Sequence, residues 1–215
     1  MKIFDISMSI DYNMPVYKNK DDKRPVRRTT RDFPNDNIYE SRIDMDMHTG
    51  THIDAPLHMV KNGDTIENIR LDRVITECRV IDLTSVEDKI KMKDLTDKEI
   101  VKGDFIILKT KNSYVDSFYD EFVYLDRSGA KFLKEKGVIG VGIDSLGIER
   151  DQADFSTHKT LLESGIIILE GLRLSEVGEG VYILCALPLK IIGSEASPVR
   201  AVLIDNKGSA DYSFA

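Results

Sequence analysis

Along this chain, hydrophobic and polar positions follow a period of two more often than a helical period. Between residues 38 and 48 the alternation is clean. Ile43, Met45 and Met47 fall on one side, and Asp44, Asp46 and His48 on the other. This predicts a strand with one wet face, which His48 leaves on the polar side. Apolar or β-branched runs at 74–83, 105–110, 138–143, 166–172, 181–192 and 199–205 predict further strands, several too apolar to have any wet face. Thr96 followed by Glu99 has the form of a capping box, so a short helix is expected there, stopped by Gly103. A second helix opens at Asp126 or Ser128 and ends at Gly137. A third, capped by Ser156 or Thr157, covers 157–164 and ends at Gly165. Helix, glycine, strand thus recurs three times, which argues for an α/β domain with a few short helices packed on a mixed sheet.

The chain has 215 residues, a length that suits one domain spanning 1–215. Its formal net charge of −7 argues against nucleic acid as a partner, because phosphate backbones select a cationic face. No apolar run approaches the ~20 residues of a membrane span, and Asp5 and Asp11 interrupt any signal-peptide core, so a cytoplasmic protein is expected. Cys78 and Cys185 lie in apolar stretches without CxxC spacing and read as two buried thiols. The one compositional shift is at residues 18–31, KNKDDKRPVRRTTR. It reads as a solvated loop or, functionally, as a basic flap or inter-subunit arm that steers an anionic substrate.

Three of the four histidines fall between His48 and His58, in His48-Thr-Gly-Thr-His52-Ile-Asp54-Ala-Pro56-Leu-His58. Gly50, the threonines and Pro56 make a helix improbable here, so the chain turns at Gly50 and then runs extended. His52 and Asp54 share a face of that extended segment, and the turn folds His48 back over them. Two imidazoles and a carboxylate form a ligand set that leaves a catalytic metal open to water. His58, past the proline, is better placed beside a metal-bound water, as general acid/base. His158 at the start of the third helix and Glu170 inside an apolar run form a second candidate ligand pair, with Asp54 as a possible bridge between two ions. Taken alone, Glu170 could instead pair with Arg173 or Arg200. Gly137, Gly140 and Gly142 lack GxGxxG order and read as packing glycines. Asp144 reads as a turn residue more than as a partner of a histidine, and Ser145 as a weak nucleophile candidate.

The segment from His48 to His58 resembles the HxGTHxDxPxH signature of the cyclase-like family of metal-dependent hydrolases, which includes bacterial kynurenine formamidases and isatin hydrolases. All seven fixed positions match. The similarity extends to Phe4-Asp-Ile-Ser7, Gly142-Ile-Asp-Ser145, the His158 and Glu170 pair, and Ser197-Pro-Val-Arg-Ala201. It implies a swivelling β/β/α fold, a homodimer or homotetramer, and hydrolysis of a linear or cyclic amide. It also implies His48, His52 and Asp54 on a first divalent ion, Asp54, His158 and Glu170 on a second where two are bound, and His58 as proton shuttle. The resemblance implies zinc as the first choice of ion and manganese as the alternative, and the donors, imidazole and carboxylate without sulfur, accommodate either. Kynurenine formamidases usually carry a tryptophan in the N-terminal segment. Here the region reads Pro15-Val-Tyr-Lys-Asn-Lys-Asp21 and the chain has no Trp, which leaves Tyr17 as the aromatic wall.

The expected function is therefore a metal-dependent amidohydrolase acting on a small formamide-type or cyclic amide. In it, metal-activated water attacks the carbonyl and His58 moves the proton to the leaving nitrogen. The rivals are a non-catalytic metal- or small-ligand-binding protein on the same scaffold, and an oligomer whose metal is structural.

Overall fold

The computed structural model describes residues 1–115, 117–150 and 152–205. In chain order its strands begin with β1 (Lys2–Asp5), β2 (Val26–Arg31), β3 (Glu40–Asp44), β4 (His52–Asp54), β5 (Ile75–Asp82) and β6 (Lys89–Ile90). They continue with β7 (Phe105–Lys109), β8 (Tyr124–Leu125), β9 (Gly140–Ile143), β10 (Ile167–Glu170), β11 (Gly180–Cys185), β12 (Ala196–Pro198) and β13 (Val202–Asp205). The helices are α1 (Met92–Leu95), α2 (Arg127–Lys136) and α3 (Ser156–Leu162). One nine-stranded mixed sheet runs β1-β13-β11-β5-β7-β9-β10-β4-β12. The three pairings from β5 to β10 are parallel, and the outer pairings are antiparallel.

The central strands are apolar throughout because both of their faces are covered. Phe105 and Ile107 enter one core, which gathers Leu184 and Leu203 from one end of the strand order and Ile53 and Ala55 from the other. Membership of both ends in one cluster means that the sheet curls around that core. Ile106 and Leu108 face the second core, under α2 and α3, with Leu133 and Leu161. Gly140 and Gly142 are packing glycines, as expected. A Cβ at Gly140 would sit 2.2 Å from the Phe105 ring, and one at Gly142 would sit 3.0 Å from Leu172.

Several local expectations change. The strand expected at 38–48 shrinks to β3, and every one of its residues is exposed, since it pairs only with β2 in a separate two-stranded ribbon. The second half of the basic segment is therefore a strand rather than a loop, while its first half forms two one-turn 3₁₀ helices. The helix expected after Thr96 does not form. Glu99 has φ 48°, and the Thr96 hydroxyl donates back to the Met92 carbonyl at the end of α1 instead of capping a new helix. The run at 181–192 ends its strand at Cys185, before Pro188, whose missing N–H cannot continue a ladder. Cys78 is buried, but Cys185 is only half-buried. No helix among the described residues is long and apolar enough to cross a membrane.

Candidate metal centre

β4 and β10 pair antiparallel, with His52 directly opposite Glu170 and Asp54 opposite Ile168. Period-two alternation sends Ile53 and Leu169 into the first core and leaves His52, Asp54 and Glu170 together on the opposite face. His48 does not leave a strand. It lies in the turn that ends at Gly50 (φ 74°), where its N–H donates to Asp46 Oδ1 at 2.9 Å. His58 ends a one-turn 3₁₀ helix, Pro56–His58, which brings it back toward His48, with ring centroids 4.1 Å apart. His158, in the first turn of α3, lies 5.5 Å from His58 by the same measure. All six residues singled out from the sequence thus meet in one place.

Asp54 is the hub. Its Oδ1 lies 3.0 Å from His48 Nδ1 and 3.5 Å from His52 Nε2, and its Oδ2 lies 3.7 Å from His158 Nε2. Glu170 Oε2 is 3.3 Å from His52 Nε2, and Glu170 Oε1 is 3.4 Å from His158 Nε2. Arg200 pairs with Asp5 instead of Glu170. Short as these separations are, His52 Nε2 and both Asp54 oxygens are buried without a hydrogen-bond partner. Buried polar atoms are rarely left so, because an unmet donor or acceptor costs about 1–3 kcal/mol. Two groups present ligand atoms within 4.8 Å of one another, His48 with Asp54 and His58, and His52 with Asp54 and Glu170. They share Asp54, as a bridge between two ions would, but they divide the histidines differently from the sets that the resemblance implies.

Two further residues orient the rings. The Gly50 carbonyl lies 3.0 Å from His52 Nδ1, which fixes that nitrogen as a donor and turns Nε2 into the group. Glu149 does the same for His158 by hydrogen bonding to its Nδ1, and it also accepts from the backbone N–H groups of Thr157 (3.0 Å) and His158 (3.3 Å). It is Glu149, not Ser156 or Thr157, that caps α3. Nothing in its local sequence announces this, because the contact spans a turn between β9 and α3. Asp144 does not hold a histidine either. It accepts from the Thr110 N–H and hydroxyl, both at 2.7 Å, and from the Ser113 hydroxyl at 2.6 Å, tying down the turn after β7. The Ser145 hydroxyl donates to the Gly147 carbonyl.

The electrostatics follow from this packing. Burial opposes charge on His52, but the Asp54 and Glu170 carboxylates beside it outweigh that and raise the imidazole from 6.5 to about 10. Burial likewise opposes charge on His158, which Glu149 and Glu170 raise to about 10. Glu170 is pushed up by burial and by Asp54, yet the two histidines bring it down to about 2. His58 goes the other way. Burial lowers it, Asp54 opposes that, and His48 and His158 push it down further, so it is neutral at pH 7.

Metal uptake at pH 7.5 is therefore expected to release about two protons per chain, from His52 and His158, because a ligating imidazole must be neutral. A pH indicator in weakly buffered solution measures this, and uptake without proton release contradicts the assignment. In the metal-free chain, the raised values on His52 and His158 stabilise the fold fully below about pH 6.5, and that contribution is lost as pH rises through about 10. The lowered value on Glu170 works in the opposite sense, with its stabilisation lost as pH falls toward about 2.

A cavity of about 540 Å³ opens onto this centre. His48, His58, His158 and Glu170 form its floor, and Tyr17, Met59, Leu146 and Phe155 contribute apolar wall. Tyr17 is held edge-on against Phe118 and Phe122, with centroids 5.7 and 6.4 Å away.

Known proteins resemble this chain in sequence and in overall fold. The chain is 32% identical over 208 residues to the kynurenine formamidase of Salinibacter ruber, covering 95% of this chain and 98% of that one. It is 34% identical over 164 residues to the kynurenine formamidase of Bacillus cereus, covering 75% and 78%. Among solved structures, a predicted metal-dependent hydrolase from Bacillus stearothermophilus superposes with TM-score 0.87 at 50% identity, covering 94% of this chain and 97% of that one. Isatin hydrolase A from Ralstonia solanacearum shares the fold with TM-score 0.81 at 18% identity, over 95% and 92% of the two chains. The family model described as "Putative cyclase" matches residues 4–150, a span that contains the whole turn and β4 segment, and on these grounds the chain belongs to the cyclase family.

Proposed function

We propose that this chain is a divalent-metal-dependent amidohydrolase that cleaves a small formamide-type or cyclic amide. The observation that carries the reading is the convergence of four histidines, Asp54 and Glu170 in one group, four of whose members, His48, His58, His158 and Glu170, line a mostly apolar cavity. The unsatisfied buried atoms of His52 and Asp54 suit a cation. Their oxygen and nitrogen chemistry suits zinc first and manganese second. His48, His52, Asp54, His158 and Glu170 would hold one or two ions. When bound, such an ion supplies Lewis-acid polarisation of a carbonyl and acidifies water.

The chain's own residues supply the rest. Neutral at pH 7 and on the cavity floor, His58 can take a proton from attacking water as the oxygen adds to the carbonyl carbon. It then passes that proton to the nitrogen as the carbon–nitrogen bond breaks. Glu149 keeps His158 in one tautomer, and the Gly50 carbonyl does so for His52. Tyr17, Met59, Leu146 and Phe155 exclude water from the apolar body of the substrate. The relatives named as formamidases support the amide bond as target, because a formamidase cleaves a formyl amide.

Residues 1–215 are read as one domain. The exposed ribbon of β2 and β3 carries Val26, Phe33, Ile38, Tyr39 and Ile43 in water. An isolated two-stranded ribbon is marginal by itself, which favours an arm packed on a second copy in a homodimer or homotetramer.

The decisive test is a His58→Ala protein assayed for metal and for turnover of formyl-aryl-amines, isatin-type lactams and cyclic imides. The expected result is unchanged metal content with kcat lower by about 10²–10⁴-fold. Loss of metal together with activity would make His58 a ligand. If the unaltered protein turns over no amide while holding its metal, the non-catalytic binding reading takes its place.

A further inference from the structure

The mouth of the cavity carries a charge pattern that the hydrolytic chemistry does not use. Lys18, Lys20 and Lys23 line it together with the apolar wall. They are three of the seven cationic side chains in 18–31, a stretch with only two carboxylates in a chain of net charge −7, so three cations gather at the edge of the cavity. The local ion pairs divide these residues. Lys23 is bound to Asp46 at 3.1 Å, and Arg24 is bound to Asp21 at 3.1 Å and to the Tyr12 and Met14 carbonyls. Lys18 and Lys20 have no carboxylate partner among the described residues, and Lys18 leans over the Tyr17 ring at 5.5 Å.

The backbone that presents them is held in an unfavourable form. Lys18 and Asn19 have φ of 56° and 50°, a left-handed conformation that non-glycine residues adopt at a cost. Strain next to a cavity, in a segment bearing two cations without carboxylate partners, marks a positioned element. Deeper in, the ionisable groups are Asp54, Glu149 and Glu170 with the histidines. The scissile amide must reach that centre to react, so an anion paired with the lysines at the mouth lies at the far end of the molecule.

We propose that Lys18 and Lys20 form an anion subsite, and that the substrate is an amide carrying a carboxylate on the side of the molecule away from the scissile bond. This rests on the hydrolase reading and narrows its substrate class. Lys18 and Lys20 act on binding and touch no reacting atom, so they should govern KM and not kcat.

The experiment compares para-formamidobenzoate with its uncharged analogue formanilide. In the Lys18→Ala/Lys20→Ala protein, para-formamidobenzoate should bind more weakly, with KM raised about tenfold and kcat unchanged, while both constants for formanilide stay fixed. The preference of the unaltered protein for the anion should shrink as sodium chloride is added. A Lys18→Arg/Lys20→Arg protein keeps the charge and should restore most of the lost affinity. Equal changes in KM for the two substrates, or no change in either, overturn the proposal. Calorimetric binding of para-aminobenzoate and aniline to the metal-loaded proteins separates the two readings. Charge-dependent binding without hydrolysis of either amide removes the hydrolase reading and leaves the subsite. Hydrolysis with no charge preference removes the subsite alone.

Discussion

An Asp54→Asn protein should lose metal from both candidate groups and fall by about a thousandfold or more in kcat/KM. Asp54 is the one residue common to the two groups, so this single change weakens both, where a His48 or His52 substitution weakens one. The side chain keeps its volume, and its oxygens carry no hydrogen bond that must be replaced. The loss is therefore electrostatic. Polarisation of a carbonyl by a cation is worth several kcal/mol, and each 1.36 kcal/mol is a factor of ten in rate. In the metal-free protein the same change removes a charge that helps to raise His52 and His158, so both imidazoles should titrate at lower pH. Elemental analysis after dialysis, histidine titration by NMR and circular dichroism report the three consequences separately. An Asp54→Asn protein that is folded, fully metallated and active would remove Asp54 from the centre.

The second large effect is expected at a residue with no chemistry. Gly171 follows Glu170 with φ 69°, and a Cβ there would lie 2.3 Å from the Gly50 carbonyl oxygen and 2.8 Å from its carbon. Two turns thus press backbone on backbone. The Gly171 N–H donates to the Ser145 carbonyl at 2.8 Å, its carbonyl accepts from the Thr51 hydroxyl at 2.7 Å, and that hydroxyl accepts from the Met8 N–H. Gly171→Ala must push the His48 turn away from Glu170. Gly165 is a control, since it has φ 68° but nothing within 4 Å of an added Cβ. Gly165→Ala should cost about 1–2 kcal/mol, the penalty of the left-handed conformation alone. Gly171→Ala should cost about 3–5 kcal/mol and weaken metal binding as well. Urea unfolding of the metal-free proteins measures the difference. Equal losses at the two positions would show that the backbone contact is soft.

The contents of the centre are legible in the sequence because their signal is local. His48, His52, Asp54 and His58 lie within one turn, one short strand and the 3₁₀ turn that follows it, where spacing and parity carry geometric meaning. His158 and Glu170 stand out because charge and imidazole interrupt apolar surroundings. Glu149 is not legible, since its hydrogen bond to His158 depends on how the turn after β9 packs against α3. The ribbon is legible only in part, for a related reason. Periodicity at residues 38–48 reports alternation, but it cannot say whether the apolar side faces a core, and here Ile43 faces water. The helix at 127–136 is readable from its Asp126 cap and its glycine stop, whereas the helix at 156–162 is readable from its glycine stop alone. The expected helix after Thr96 fails because a short capping pattern without an apolar helical face has little to hold it.

His52 and Glu170 meet across adjacent strands although they lie more than half the chain apart in sequence. β4 is three residues long and is paired on one side by β10 and on the other by β12, both from the last third of the chain. No fragment lacking that last third carries the His52, Asp54 and Glu170 group, and no early folding intermediate built from local contacts can assemble it. Metal capture at this group is therefore a late event in folding, available only after the long-range strand pairing has closed. The rate at which a refolding chain becomes able to hold an ion thus serves as a clock for completion of the sheet.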